Sequence, residues 1–218
     1  MAVSESSARR YALDPDVRLM LEVRNDSAAA FEELVTRYQG RLTNVLRHLT
    51  GGREQAEDLA QEVFLRVYRA RKTYEPGAKF ATWLFTIANH VASNARRNQS
   101  RRREVTLQTH DSGPLGTRPF DKTLQASSGQ MPARRLDKAE MRDIVRMSVE
   151  SLGERQRMAI LLSKFEGMSY AEIAEVMETS PQALKSLLSR ARDNLREVLQ
   201  PYFDHGANPT LEIPDSHE

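Results

Sequence analysis

Cysteine is absent from the 218 residues. That lack removes disulfides, thiolate metal sites and cysteine nucleophiles together, and leaves packing as the source of stability. Long apolar runs are missing as well. No stretch approaches the roughly 20 consecutive apolar residues that span a bilayer, and the polar opening MAVSESSARRY lacks the apolar centre of a secretory leader. A cytoplasmic protein with no membrane insertion is expected. Sustained apolar–polar alternation, the mark of strands, is nowhere found. The histidines (His48, His90, His110, His205 and His217) are scattered at no metal-ligand spacing, and neither a phosphate-binding glycine loop nor a serine nucleophile elbow occurs. No catalytic residue, metal or cofactor is assigned, and an enzyme is the least supported class.

What is present is a charge distribution with structure in it. The net charge is only +2, yet acids gather at Glu54, Glu57, Asp58 and Glu62, while Arg96, Arg97, Arg101, Arg102 and Arg103 form a basic block. Such asymmetry points to at least two different partners. The block has the character of a phosphate-neutralising surface, although basic runs also serve as plain solvated faces.

Helical periodicity divides the chain. Phe31, Leu34, Val35, Tyr38, Leu42, Val45, Leu46 and Leu49 recur at helical spacing until Gly51 and Gly52 stop them. A second helix is expected from near Glu54 to about Arg71, with Leu59, Val63, Val67 and Phe64 inward and its acids near the positive end of the helix dipole. The turn Glu75-Pro76-Gly77 follows. A third helix from about Thr82 carries Trp83, Leu84, Ile87, Ala88 and Val91 on one side, a spacing that makes Trp83 a core residue rather than a stacking platform. From about Glu104 to Arg135 the composition turns to Thr, Gln, Ser, Gly and Pro without a period, as a linker does. Periodicity resumes with Ile144, Val145, Val149, Met158, Leu161, Leu162 and Phe165. The expected architecture is all-α: two small helical domains at 14–104 and 139–200, a flexible linker at 105–138 and a loose tail at 201–218.

The second domain contains a recognisable device. Ser169 through Glu172 forms a Ser-x-x-Glu capping box opening a short helix. Ser180-Pro181 then supplies an N-cap and a proline at the first helical position. Leu184, Leu188, Ala191 and Leu195 make one apolar stripe, which leaves Gln182, Lys185, Ser186, Ser189, Arg190, Arg192 and Arg196 as donors over the remaining surface. With small Ala174 in the first helix, this describes a helix-turn-helix whose second helix enters a major groove. An ordinary helical hairpin with solvated Lys and Arg would present the same pattern.

The run Phe165-Glu166-Gly167-Met168-Ser169-Tyr170-Ala171-Glu172-Ile173-Ala174, with Lys185-Ser186 and Ser189-Arg190-Ala191-Arg192, resembles the domain by which extracytoplasmic-function (ECF) sigma factors read the minus-thirty-five promoter element. Asp58-Leu59-Ala60-Gln61-Glu62-Val63-Phe64 and Phe80-Ala81-Thr82-Trp83-Leu84-Phe85-Thr86-Ile87-Ala88 look like the polymerase-binding helix and promoter-melting segment of the same family. The resemblance implies a subunit that lends bacterial core RNA polymerase its promoter specificity. Asp58, Gln61, Glu62 and Phe64 would then dock on the polymerase clamp helices. The loop from Tyr74 to Phe80 with His90, Asn94 and Arg97 would take the melted minus-ten element, with Arg101, Arg102 and Arg103 on phosphates. Gln182, Lys185, Ser186, Ser189 and Arg190 would read the minus-thirty-five element in promoter DNA. The linker would thread toward the polymerase active centre, and an anti-sigma protein is expected as a further partner. Two positions depart from the family: His90 stands where asparagine is frequent, and Leu187 where arginine is common. A stand-alone helix-turn-helix regulator remains the alternative, one that leaves the acidic helix and the Thr-Trp-Leu segment unexplained.

Overall fold

The computed structural model of the protein describes residues 11, 13–109 and 138–204; within helices, the side chains at 100, 102–109, 138, 203 and 204 are not part of that description. The greater part of the expected linker, and the tail from residue 205, therefore lie outside the described residues. Among those described, eight α-helices and no strand occur: α1 Pro15–Arg24, α2 Ala28–Thr50, α3 Arg53–Ala70, α4 Phe80–Thr109, α5 Lys138–Ser151, α6 Glu154–Lys164, α7 Tyr170–Val176 and α8 Pro181–Asp204. A single 3₁₀ turn, Arg71–Thr73, follows α3.

Local chemistry explains the boundaries. Asp14 caps α1 by accepting from the backbone N–H of Asp16 and Val17, and Ser27 caps α2 by accepting from that of Ala30. Gly51 ends α2 at φ 78°, a left-handed geometry glycine takes without steric cost. Asp26, between α1 and α2, holds φ 68° without being glycine; its carboxylate is gripped by Arg71 and Lys72, whose attraction holds it below the usual carboxylate range.

The N-terminal core is built around α2. Leu34, Tyr38, Leu42, Val45, Leu46 and Leu49 are buried against α1, α3 and α4, which contribute Met20, Val63, Phe80, Leu84 and Phe85. Tyr38 stands edge-on to Phe80, 5.2 Å between centroids, and donates its hydroxyl to Asp16 at 2.6 Å. Trp83 is half-buried, packed against that core and against Tyr74 at 4.8 Å. The C-terminal core gathers Leu161, Leu162, Ile173, Leu184 and Leu188 from α6, α7 and α8. The two halves also touch each other, α2 against α5 and α6, and α4 against α7.

Three details differ from the sequence pattern. Val145 and Phe165 are exposed; the inward place on α5 beside Val149 is taken by Ser148, whose hydroxyl is satisfied by the Ile144 carbonyl at 2.7 Å. Helix α4 continues through Thr109, past the boundary drawn at 104. Helix α8 runs through Pro201 to Asp204, although a proline there gives up the backbone N–H that would bond the carbonyl four residues back.

Phe80 is completely buried. Phe80→Ala should cost about 3–5 kcal/mol of unfolding free energy in urea titration, whereas exposed Gln182→Ala should stay within about 0.5 kcal/mol. Equal midpoints for the two variants would show that Phe80 does not anchor the core.

Candidate protein and nucleic-acid interfaces

A groove runs between α2 and α3. Its apolar floor comes from Phe31, Val35, Ala60 and Phe64, with Leu65 and Tyr68 at its side and Gln39 and Gln61 among its polar lining. Phe31 stacks at 5.1 Å from Tyr68 and 6.5 Å from Phe64. Leu65 and Tyr68 are half exposed, so large apolar surface faces outward here. Of the four residues expected to dock on polymerase, Gln61 and Phe64 line this groove; Asp58 and Glu62 do not. Asp58 is exposed on α3 and Glu62 accepts from Arg66 at 2.8 Å. Sequence periodicity missed the groove because Phe31 and Val35 fit the apolar stripe of α2 and read as core.

The basic helix α4 sets out its donors along one face. His90, Asn94, Arg97 and Arg101 are exposed at spacings of three and four, and Arg97 donates to the Asn94 side chain at 2.8 Å. The side chains of Arg102 and Arg103 fall outside the described residues. In the preceding loop Tyr74 is buried, its carbonyl accepting from Arg24 at 3.2 Å, while Lys79 is exposed. Burial pushes the Tyr74 phenol up, so it stays neutral.

In the C-terminal half the capping box is formed in full. The Ser169 hydroxyl accepts from the Glu172 N–H at 3.3 Å, and the Glu172 carboxylate accepts from the Ser169 N–H at 2.7 Å. The turn passes through Glu178 at φ 49°, and Thr179 N–H closes it on the Ala174 carbonyl at 2.9 Å. Ser180 then caps α8 through the Ala183 N–H at 3.1 Å. Gln182, Lys185, Ser186, Ser189 and Arg190 are all exposed on α8. Arg192 is turned back, donating to the Tyr170 hydroxyl at 2.7 Å. Leu187 leans on the core, so the position where the family often has arginine here adds packing instead of a phosphate donor.

A helix-turn-helix with a free donor face, joined to a helical half bearing a basic helix, defines a DNA-binding transcription protein. The comparisons with known proteins narrow this. The family model "Sigma-70 region 2" matches residues 34–102 and "Sigma-70, region 4" matches residues 142–195. The ECF RNA polymerase sigma-E factor of Escherichia coli is 32% identical over 187 residues, covering 85% of this chain and 95% of its own. The RNA polymerase sigma-H factor of Pseudomonas aeruginosa is 29% identical over 188 residues, covering 86% and 95%. Among solved structures, CnrH in complex with the cytosolic domain of CnrY shares the fold at TM-score 0.60 and 21% identity, over 86% of this chain and 99% of its own. The sigma factor RpoE in complex with the anti-sigma factor NepR from Bartonella quintana matches at TM-score 0.55 and 25% identity, over 78% and 96%. The chain belongs to the sigma-70 family, in its ECF subfamily. It is an alternative sigma factor directing promoter-specific transcription initiation, not a stand-alone regulator. Among the described residues, no helix is long and apolar enough to cross a membrane.

Where the halves meet, His48 of α2 is buried, its ring 6.1 Å from that of Phe165 and its carbonyl accepting from Arg157 at 2.9 Å. Burial pulls its pKa below 6.5, helped by Arg47, Arg157 and Arg146 and opposed by Glu150. Between the folded and unfolded values the unfolded chain binds more protons, so stability rises with pH in that window. The His48 contribution is complete above about 6.5 and is lost as pH falls through the lowered value. The urea midpoint should therefore drop between about pH 7 and about pH 5, and less in His48→Gln. Parallel pH dependences in the two proteins would exclude His48 as a cause.

Proposed function

We propose that this sigma factor binds core RNA polymerase through the groove between α2 and α3 together with the acidic side of α3, reads an upstream element with the exposed face of α8, and holds the melted downstream element along α4. Supporting this is above all the separation of the three surfaces: outward apolar surface in the groove, basic donors on α4, and five exposed donors on a capped recognition helix. Gln61 and Phe64 sit within the groove; Asp58 and Glu62 add charge alongside. On α8, Gln182, Lys185, Ser186, Ser189 and Arg190 meet base edges and phosphates. On α4, His90, Asn94, Arg97, Arg101 and Arg102 follow the strand, while the Tyr74–Phe80 loop flanks the extruded base. The chain supplies no chemistry of its own, so initiation proceeds on the catalytic centre of polymerase. It works in the cytoplasm, as two helical domains at 14–104 and 139–200. An anti-sigma protein completes the partner set, by likeness to the complex of RpoE with the anti-sigma factor NepR.

Run-off transcription with purified bacterial core polymerase on fragmented genomic DNA tests the whole scheme. Discrete starts sharing two spaced upstream motifs are expected only when the protein is present. Lys185→Ala with Arg190→Ala should reduce these starts at least about tenfold, from roughly 1–3 kcal/mol lost per base-reading contact, with retention on immobilised core unchanged. A matching loss of core retention would contradict the division of labour. Asp58→Arg with Glu62→Arg should do the reverse and weaken retention on core; full retention would remove the acidic side of α3 from the interface.

A further inference from the structure

Asp26 holds a left-handed backbone conformation, φ 68°. Aspartate tolerates that geometry better than most side chains, but glycine suits it best. The turn between α1 and α2 closes without the carboxylate: the Asp26 N–H donates to the Val23 carbonyl at 2.9 Å, and the Ser27 N–H to the Glu22 carbonyl at 3.1 Å. The carboxylate instead reaches across to the 3₁₀ turn Arg71–Thr73, where it accepts from Arg71 at 3.1 Å and pairs with Lys72. An exposed pair of this kind contributes little to stability, so stability alone gives little reason for aspartate at this position.

The two bases carry the contact onward in two directions. Lys72 also donates to the Arg24 carbonyl at 3.0 Å, and the Arg24 guanidinium donates to the Tyr74 carbonyl at 3.2 Å. Arg71 donates to the Tyr68 carbonyl at 3.0 Å and lies 4.0 Å over the Tyr68 ring, at the side of the groove. Tyr74 is where the loop to Phe80 begins. Among the described residues no backbone–backbone hydrogen bond bridges that loop, so its shape depends on its ends. The far end is fixed by α4, whose Trp83 N–H donates to the Lys79 carbonyl at 3.3 Å. The near end is fixed at Tyr74, whose ring is buried against Trp83 and whose carbonyl is held by Arg24.

Resting on the proposal that this loop flanks the extruded base, we infer that Arg24 and Asp26 are positioning residues for base capture. They touch neither strand nor polymerase; they fix the Tyr74 end of the loop against the end of α3, so that the pocket has its shape before a base enters. A loop without internal bonds would otherwise have to be ordered by the base itself, which weakens capture. Selectivity for one base over another suffers more, because it depends on polar groups standing within about 0.5 Å of their places. The link through Arg71 to Tyr68 sets the same loop in register with the helix that faces the groove, so one rigid unit carries both surfaces.

A promoter found by run-off transcription supplies the test. Templates premelted by mismatches across the minus-ten element carry each of the four bases in turn at each position, and starts are counted with the full chain and core polymerase. With the wild-type chain the best and worst bases at the most selective position should differ by about tenfold or more. Arg24→Met and Asp26→Gly should each narrow that spread to about threefold or less, with retention on immobilised core unchanged. Glycine keeps the turn at φ 68° without steric cost, so the urea midpoint of Asp26→Gly should move little. The spread is a ratio and does not depend on the fraction folded; a merely structural loss, or a lost phosphate contact, lowers starts on all four bases alike. Arg24→Lys, which keeps a donor on a long stem, should restore part of the spread lost in Arg24→Met. Asp143→Ala removes an exposed pair with Arg146 elsewhere and should leave the spread as in the wild type. A wild-type spread in either Arg24→Met or Asp26→Gly, or equal narrowing by Asp143→Ala, overturns the inference. A wild-type chain that starts transcription on these templates with no preference among bases would instead remove the role given to the Tyr74–Phe80 loop itself.

Discussion

Everything in this structure hangs on how one helix shares out its surface. Helix α2 has a buried stripe from Leu34 to Leu49 that contacts α1, α3 and α4 on the inside of the N-terminal half. Burying each such Leu or Val is worth about 1.5–3 kcal/mol, so that stripe fixes where α3 and α4 lie. The consequences are visible at both edges. On one side Phe31 and Val35 have only partial cover from α3, and the groove opens there. On the other, His48 and Leu49 are completed by the C-terminal half, with Phe165 and Arg157 closing over His48.

The C-terminal half obeys a tighter constraint because α7 is so short. A helix of this length has little stability from its own hydrogen bonds, and it is held by the capping box at Ser169, by Ile173 and Ala174 in the core, and by the turn that Glu178 and Thr179 close. That rigidity is what lets α8 offer Gln182, Lys185, Ser186, Ser189 and Arg190 in a defined orientation: the stripe of Leu184, Leu188 and Ala191 pins one side of the helix, so the other side must face out. Glu172 serves twice, as N-terminal cap and as partner of Lys79, which ties the shape of the reading module to its contact with the other half.

Much of this was legible in the residues. Period and caps located α2, α3 and the two helices of the helix-turn-helix, because Gly51, Ser169, Ser180 and Pro181 act within a few residues of themselves. Helix α1 passed unread, its Val17, Met20 and Val23 being too few to make a stripe until α2 and the 3₁₀ turn close over them. Phe165 and Val145 look like core at helical spacing, yet which face of an element is covered depends on neighbours distant in sequence. The same limit hid Arg96: in the basic block it reads like Arg97, but Arg96 turns to Glu154 and is half-buried while Arg97 faces solvent. Burial holds the Arg96 guanidinium below its ordinary value, still far above neutrality, so its charge persists and needs a partner.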